Sequence, residues 1–236
     1  MKYFIVFMVA VVELFFSTAA LAGGDVGNGG DVIMCVATTE NHFQGVLSLD
    51  YMLTLQNGSE IALVPVNSFA ESMARISKIM AARCREDALR ENRFSALLEK
   101  FLTLRSNHSD WSQPYIWNAS AYGLVDVHDE RMSRLLPSNC QTNGVPNIIQ
   151  AIIRKKRADM GMIVFEYDPK IDSQLQSKPL QQSFLYMHEF LRNYISDSDQ
   201  LRWLNWFLHS QQMEKMNDAD FQKSINKLMV NAFCRS

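Results

Sequence analysis

Ile148-Ile149-Gln150-Ala151-Ile152-Ile153, then Arg154-Lys155-Lys156-Arg157-Ala158-Asp159, then Gly161-Met162-Ile163-Val164-Phe165-Glu166-Tyr167 is the stretch whose reading decides the fold. Its two apolar runs are rich in β-branched residues and read as paired strands, 148–153 and 161–167. The charged segment between them reads as a hairpin tip. Four cations there can form a lipid or nucleic-acid patch, or a solvated turn that guards a sheet edge, and the turn is the expectation because so few charges hold anions weakly.

Downstream of this hairpin the period changes to helical. Helices are expected over Leu180–Ile195, Ser198–Ser210 and Asp218–Phe233. Upstream, Ser68 with Glu71 forms a capping box, and Phe69, Met73, Ile76, Met80 and Ala81 follow at helical spacing. A second upstream helix is expected from about Asp87 to Leu104, with Leu89, Phe94, Leu97, Leu98, Phe101 and Leu104 inward. Val32–Val36 reads as a strand. Val46–Leu55 is apolar with no decisive period, and 115–145 reads as irregular, with extended pieces at Ala121–Val127. The fold class that follows is α+β: a single domain, mostly helical, with a small antiparallel sheet or hairpin.

The composition agrees with a globular chain. Of 236 residues, 47% are hydrophobic and 20% charged, which excludes collagen and low-complexity disorder. The 23 basic and 25 acidic residues leave a net charge of −2, so no global field calls for nucleic acid.

The first residues read as an export signal. Lys2 is followed by an apolar run from Tyr3 to Phe16, broken only by Glu13, and Ala20-Leu21-Ala22 offers a cleavage site between Ala22 and Gly23. A retained anchor needs about 20 uninterrupted apolar residues, which Glu13 prevents. The expected organisation is a signal peptide over 1–22, a flexible glycine-rich lead-in over 23–31, and one globular domain over 32–236, with no membrane span after signal removal. Within the lead-in, Asp25, Asn28 and Asp31 lack the spacing and terminal Glu of an EF-hand loop.

Four cysteines remain, Cys35, Cys84, Cys140 and Cys234. In an oxidising space an even number suggests two disulfides. Three pairings exist. The expectation is Cys35 with Cys140 and Cys84 with Cys234, the first tying the N-terminal strand to mid-chain and the second pinning the last helix. Four buried thiols are the alternative. The sequons at Asn57, Asn107 and Asn118 matter only in a glycosylating host.

One constellation can carry chemistry: Phe184-Leu185-Tyr186-Met187-His188-Glu189-Phe190-Leu191-Arg192-Asn193-Tyr194. On a helical wheel Phe184, Met187, Leu191 and Ile195 form a stripe. His188 and Arg192, one turn apart, point into the same space with Glu189 beside them. The segment resembles the active helix of the zincin metallopeptidases, whose motif is H-E-x-x-H. The resemblance implies His188 as the first zinc ligand and Glu189 as the general base that activates water. Arg192 stands at the second ligand position, and a guanidinium cannot coordinate a metal. His209 is a remote second ligand under that reading. The bland alternative is an ordinary Glu189–Arg192 ion pair with His188 as a core histidine.

Other candidates are weaker. Asp126, His128, Asp129 and Glu130 cluster in a loop and can hold a metal or act as acid and base, although short acidic loops are common on surfaces. Trp203, Trp206 and Phe207 form an aromatic stripe, for ligand binding or for core packing. No G-x-S-x-G, Walker or dinucleotide-binding motif is present.

Gly27-Asn28-Gly29-Gly30-Asp31-Val32 leading to Cys35, Leu136-Pro137-Ser138-Asn139-Cys140 and His188-Glu189-Phe190-Leu191-Arg192 together resemble a group of exported proteins of predatory Gram-negative bacteria. The resemblance implies a periplasmic or secreted location and no activity. The expected function is a non-catalytic binding or envelope protein with a degenerate zincin-like helix. It takes an unknown protein or small ligand, no nucleic acid and no cofactor. The alternative is a metal-dependent, peptidase-like hydrolase that uses His188 and Glu189 with zinc.

Overall fold

The computed structural model describes residues 30–38, 44–56, 62–83, 93–106, 115–120, 135–157 and 161–228. The expected signal peptide, its Ala22–Gly23 cleavage site and the Asp126–Glu130 cluster lie outside these residues. So do Cys84, Cys234, His42, His108, and the sequons at Asn57 and Asn107.

The hairpin that anchored the sequence reading divides between two sheets. Ile148–Gln150 (β6) pairs antiparallel with Asp31–Cys35 (β1), which pairs antiparallel on its other side with Gly45–Ser48 (β2). The chain bends at Ala151. Ile152–Arg157 (β7) then pairs with Met162–Tyr167 (β8), from Ile152 opposite Tyr167 to Arg157 opposite Met162. The expected charged tip over 154–159 is therefore strand as far as Arg157: successive side chains alternate in face, so Arg154 is half-buried while Lys155 is exposed and pairs with Glu166 at 2.7 Å. Tyr115–Ala119 (β3) runs parallel to β8. It was expected to be irregular, and its five residues between turn signals are too few to show a period. Gln141–Thr142 (β4) and Val145–Pro146 (β5) form a small hairpin through Asn143 and Gly144, both at positive φ.

The helices follow the 3.6-residue period closely. They are Leu49–Gln56 (α1), Phe69–Arg83 (α2), Arg93–Ser106 (α3), Pro169–Leu175 (α4), Pro179–Arg192 (α5), Ser198–His209 (α6), Gln212–Lys215 (α7) and Asp218–Leu228 (α8). Val46–Leu55 thus turns from β2 into α1. Glu71 N–H bonds to the Ser68 hydroxyl at 3.0 Å and opens α2 as expected. Asp168 caps α4 and Asp197 caps α6. The fold is α+β with helices dominant, as the sequence indicated, but the β3–β8 pair makes one sheet mixed.

Two main apolar cores result, beside a small cluster of Ile116, Met162 and Val164. The larger joins α2, α3, α5, α6 and α8 to β3, β7 and β8, and it centres on Phe101, whose ring meets Trp117, Phe165 and Phe190 edge-on at 5.3–5.6 Å. The smaller contains Ile33, Leu47, Leu49, Met52, Leu136 and Ile148. It also holds the disulfide Cys35–Cys140, which forms as expected. Strand β1 lies between the two, with Val32 in the larger core and Ile33 in the smaller. Among the described residues no helix is long and apolar enough to cross a membrane.

Candidate functional site

Helix α5 carries the His-Glu-x-x-Arg segment through the middle of the molecule. Every residue from Gln182 to Leu191 is buried, so the one-sided stripe expected from the wheel is replaced by a helix enclosed on all sides. His188 and Glu189 are only 4% and 1% exposed. Arg192 instead turns away and donates to the Ser196 carbonyl at 2.6 Å. His188 and Arg192 therefore do not share a space, and neither Glu189 oxygen has a hydrogen-bond partner among the described residues.

The partner of His188 is Asp50. Its Nδ1 lies 2.7 Å from Asp50 Oδ2, and Asn205 Nδ2 donates to the same oxygen at 2.9 Å. Arg202 Nε lies 3.4 Å from Asp50 Oδ1. Asp50 sits in the first turn of α1, where the helix dipole also favours an anion. Burial pushes its carboxyl upward, but the imidazolium, its hydrogen bond, Arg202 and Asn205 outweigh burial and leave it below the usual range. Burial likewise pulls His188 down, and Asp50 outweighs it, so the imidazole is held above its ordinary value.

Two more carboxyls face this pair. Asp31, at the start of β1, is part-buried with Oδ1 shut away from solvent. Burial raises Asp31 and Glu189 each to about 7, against the pull of His188. Around them Arg154, Arg192 and Arg202 stand half-buried. Unpartnered buried atoms converge here: His188 Nε2, both Glu189 oxygens, Asp31 Oδ1, Arg154 Nε and Asn205 Oδ1.

His209 lies in an adjoining network, linked to Asp50 only through Asn205. Its Nδ1 donates to the Asn205 carbonyl at 2.7 Å, since a carbonyl can only accept. Nε2 must then accept the Ser183 hydroxyl at 2.6 Å, and Ser183 in turn accepts from Ser72 at 2.7 Å. The ring is neutral, stacked 4.1 Å from Phe184, and burial pulls its pKa down to about 3.

This donor set does not fit zinc. Arg192 cannot coordinate, both His209 nitrogens are engaged, and His188 Nδ1 is held by Asp50. Among the described residues no three His, Cys, Asp or Glu side chains are placed to share a metal ion.

Sequence reasoning located His188 and Glu189, placed Asp31 in the lead-in and Arg154 in the charged tip, and missed Asp50, Arg202 and Asn205. Two signals pointed to Asp50 and Asn205: a lone acid inside the apolar run 46–55, and a lone amide among Trp203, Leu204, Trp206 and Phe207. The aromatic stripe is mostly core: Phe207 is buried and Trp206 half-buried, while Trp203 remains 39% exposed and stacks on Phe207.

A surface cavity of about 460 Å³ lies elsewhere, lined by Arg75, Lys78, Ile79, Ala82, Arg83 and Glu214. Its two arginines are spent on backbone carbonyls and acidic side chains. Compared with known proteins, the chain matches no family model, and no curated protein or solved structure is significantly similar to it.

Proposed function

We propose that this chain is an exported protein that acts by binding a partner and not by catalysis, with its His-Glu-x-x-Arg helix serving as scaffold. One observation carries this reading: His188 and Glu189 are sealed in the interior, with His188 committed to Asp50. A general base must come within about 3 Å of the proton it takes, and no substrate reaches these groups without opening the core. The partner-facing surface is the half-buried rim of Arg154, Arg192 and Arg202 above the cluster. Export is supported by the leader-like segment 1–22, by the motifs shared with the exported group, and by the Cys35–Cys140 bridge, which suits an oxidising space.

The test is direct. The purified chain from residue 23 onward is offered a mixed peptide library with and without added zinc, and bound metal is counted. No cleavage and no stoichiometric zinc are expected. Cleavage that vanishes in His188→Ala while the fold persists overturns the reading.

A further inference from the structure

The start of β1 is held at a point where three parts of the fold meet. Gly30 has φ +62°, and a Cβ there would lie 2.7 Å from Glu189 Oε1 and 2.8 Å from Ile152 Cβ. Its carbonyl accepts the N–H of Ala151 at 2.8 Å and that of Ile152 at 3.2 Å. The bend between β6 and β7, the entrance of β1 and helix α5 are thus joined within one residue of Asp31. The joint is electrostatically unusual, because Asp31 Oδ1 and both Glu189 oxygens are packed into it with no hydrogen-bonded counter-ion among the described residues.

We propose that Asp31, His188 and Glu189 form a proton-operated fastener that holds the entrance of β1 to α5, closed while the two carboxyls carry protons and loosened when both ionise. This does not depend on the partner-binding reading.

The charges facing the joint come from five elements. Asp31 comes from β1, Asp50 from α1, Arg154 from β7, His188, Glu189 and Arg192 from α5, and Arg202 from α6. Asp50 already takes the hydrogen bond of His188 and that of Asn205. Arg202 approaches Asp50, and Arg192 is turned to the Ser196 carbonyl. Arg154 Nε bonds to no described group. None of the three arginines reaches Glu189 by a hydrogen bond, so they offset its burial only through the longer-range field. Burial without a hydrogen bond at Asp31 Oδ1 or at either Glu189 oxygen outweighs that field and favours the neutral acid at both groups.

The direction with pH follows from these shifts. Asp31 and Glu189 are raised in the folded state to about 7. Each therefore contributes stability that is complete below its unfolded value and lost as pH rises through about 7. His188 is raised as well, so its contribution also falls as pH rises through its folded midpoint. All three act in one direction: the fastener closes in mild acid and loosens above neutrality.

The test is amide hydrogen exchange on the exported chain at about pH 5.5 and about pH 8.5, either side of the two midpoints, corrected for the intrinsic pH dependence of exchange. Protection over β1 and β6 is expected to fall about tenfold or more at the upper pH, while α2 changes less than about twofold. The double variant Asp31→Asn with Glu189→Gln removes both raised carboxyls, leaving His188 with its Asp50 partner, and is expected to cut the drop to less than about twofold. Equal wild-type protection at both pH values, or a full drop retained in the double variant, overturns the proposal. If that variant fails to fold, carboxyl-carbon titration of the wild type decides: midpoints near 7 for both groups sustain the fastener, and midpoints below about 5 sink it.

Discussion

Gly30 shows how one residue can be fixed by what it lacks. Its left-handed φ of +62° and its missing side chain let Glu189 and Ile152 close on the backbone. Gly30→Ala introduces a Cβ into that gap. The backbone strain alone costs about 1–3 kcal/mol, and Ile152, approached at its branched Cβ, cannot yield as a long flexible side chain can. Urea denaturation is expected to show a loss of at least that size, and an unchanged midpoint would mean that the contact is not tight in solution. This glycine read as part of a loose lead-in over 23–31, because local composition carries no record of a contact 159 positions away; Gly30 and Asp31 belong instead to the ordered joint. The same holds for His188. Its helix was visible from spacing, but Asp50 lies 138 residues earlier and Asn205 comes from another helix. A period places a residue on a helix without naming what packs against it.

At the scale of elements, the long helices and three strand regions were legible, but most of the strand pairing was not. A helix satisfies its backbone within itself, so Ser68, Glu71 and the spacing of Met73, Ile76 and Met80 sufficed for α2. Strands β6 and β7 satisfy theirs against β1 and β8, and nothing in the run 148–157 reveals that its halves pair in different sheets. Helix α2 also carries a device no pattern announced. Arg75 donates to the Leu208 and Ser210 carbonyls at 3.1 and 3.0 Å and pairs with Glu214 at 2.7 Å. Two turns on, Arg83 donates to the Met216 and Glu214 carbonyls at 2.8 and 2.9 Å and lies over the Phe221 ring. Both satisfy carbonyls that the ends of α6 and α7 leave without helical partners. Arg75→Lys keeps three N–H donors but gathers them on one nitrogen, so it loses the planar fork that spreads Nε and both terminal nitrogens over Glu214 and the two carbonyls. It is expected to lose about 1–3 kcal/mol, close to the loss for Arg75→Ala. A lysine variant as stable as the wild type would show that charge alone, without the fork, holds the corner.

At the scale of the molecule, the polar cluster lies on the seam between the two apolar cores. Asp31 and Asp50 come from elements that line the smaller core, and His188 and Glu189 from the helix that crosses the larger. The seam is bounded at the far end of β1 by Cys35–Cys140, which spans 105 residues of sequence. A crosslink over so long a loop removes much of the freedom of the unfolded chain, worth about 2–5 kcal/mol. The smaller core depends on it most, because that core holds few large side chains and takes both sulfur atoms into its interior. The larger core has its own aromatic lattice, with Trp117 stacked 4.4 Å from Phe165. The double variant Cys35→Ser with Cys140→Ser is therefore expected to lower stability by about 2–5 kcal/mol and to raise exchange first over β1, β2 and the 138–140 turn. The near-ultraviolet signature of the buried tryptophan persists to higher denaturant than the protection of β1. Simultaneous loss of both would mean that the cores fold as one unit and that the seam transmits the break. An unchanged midpoint would mean that the bridge only records the proximity of strands already held by Ile33, Leu47 and Ile148.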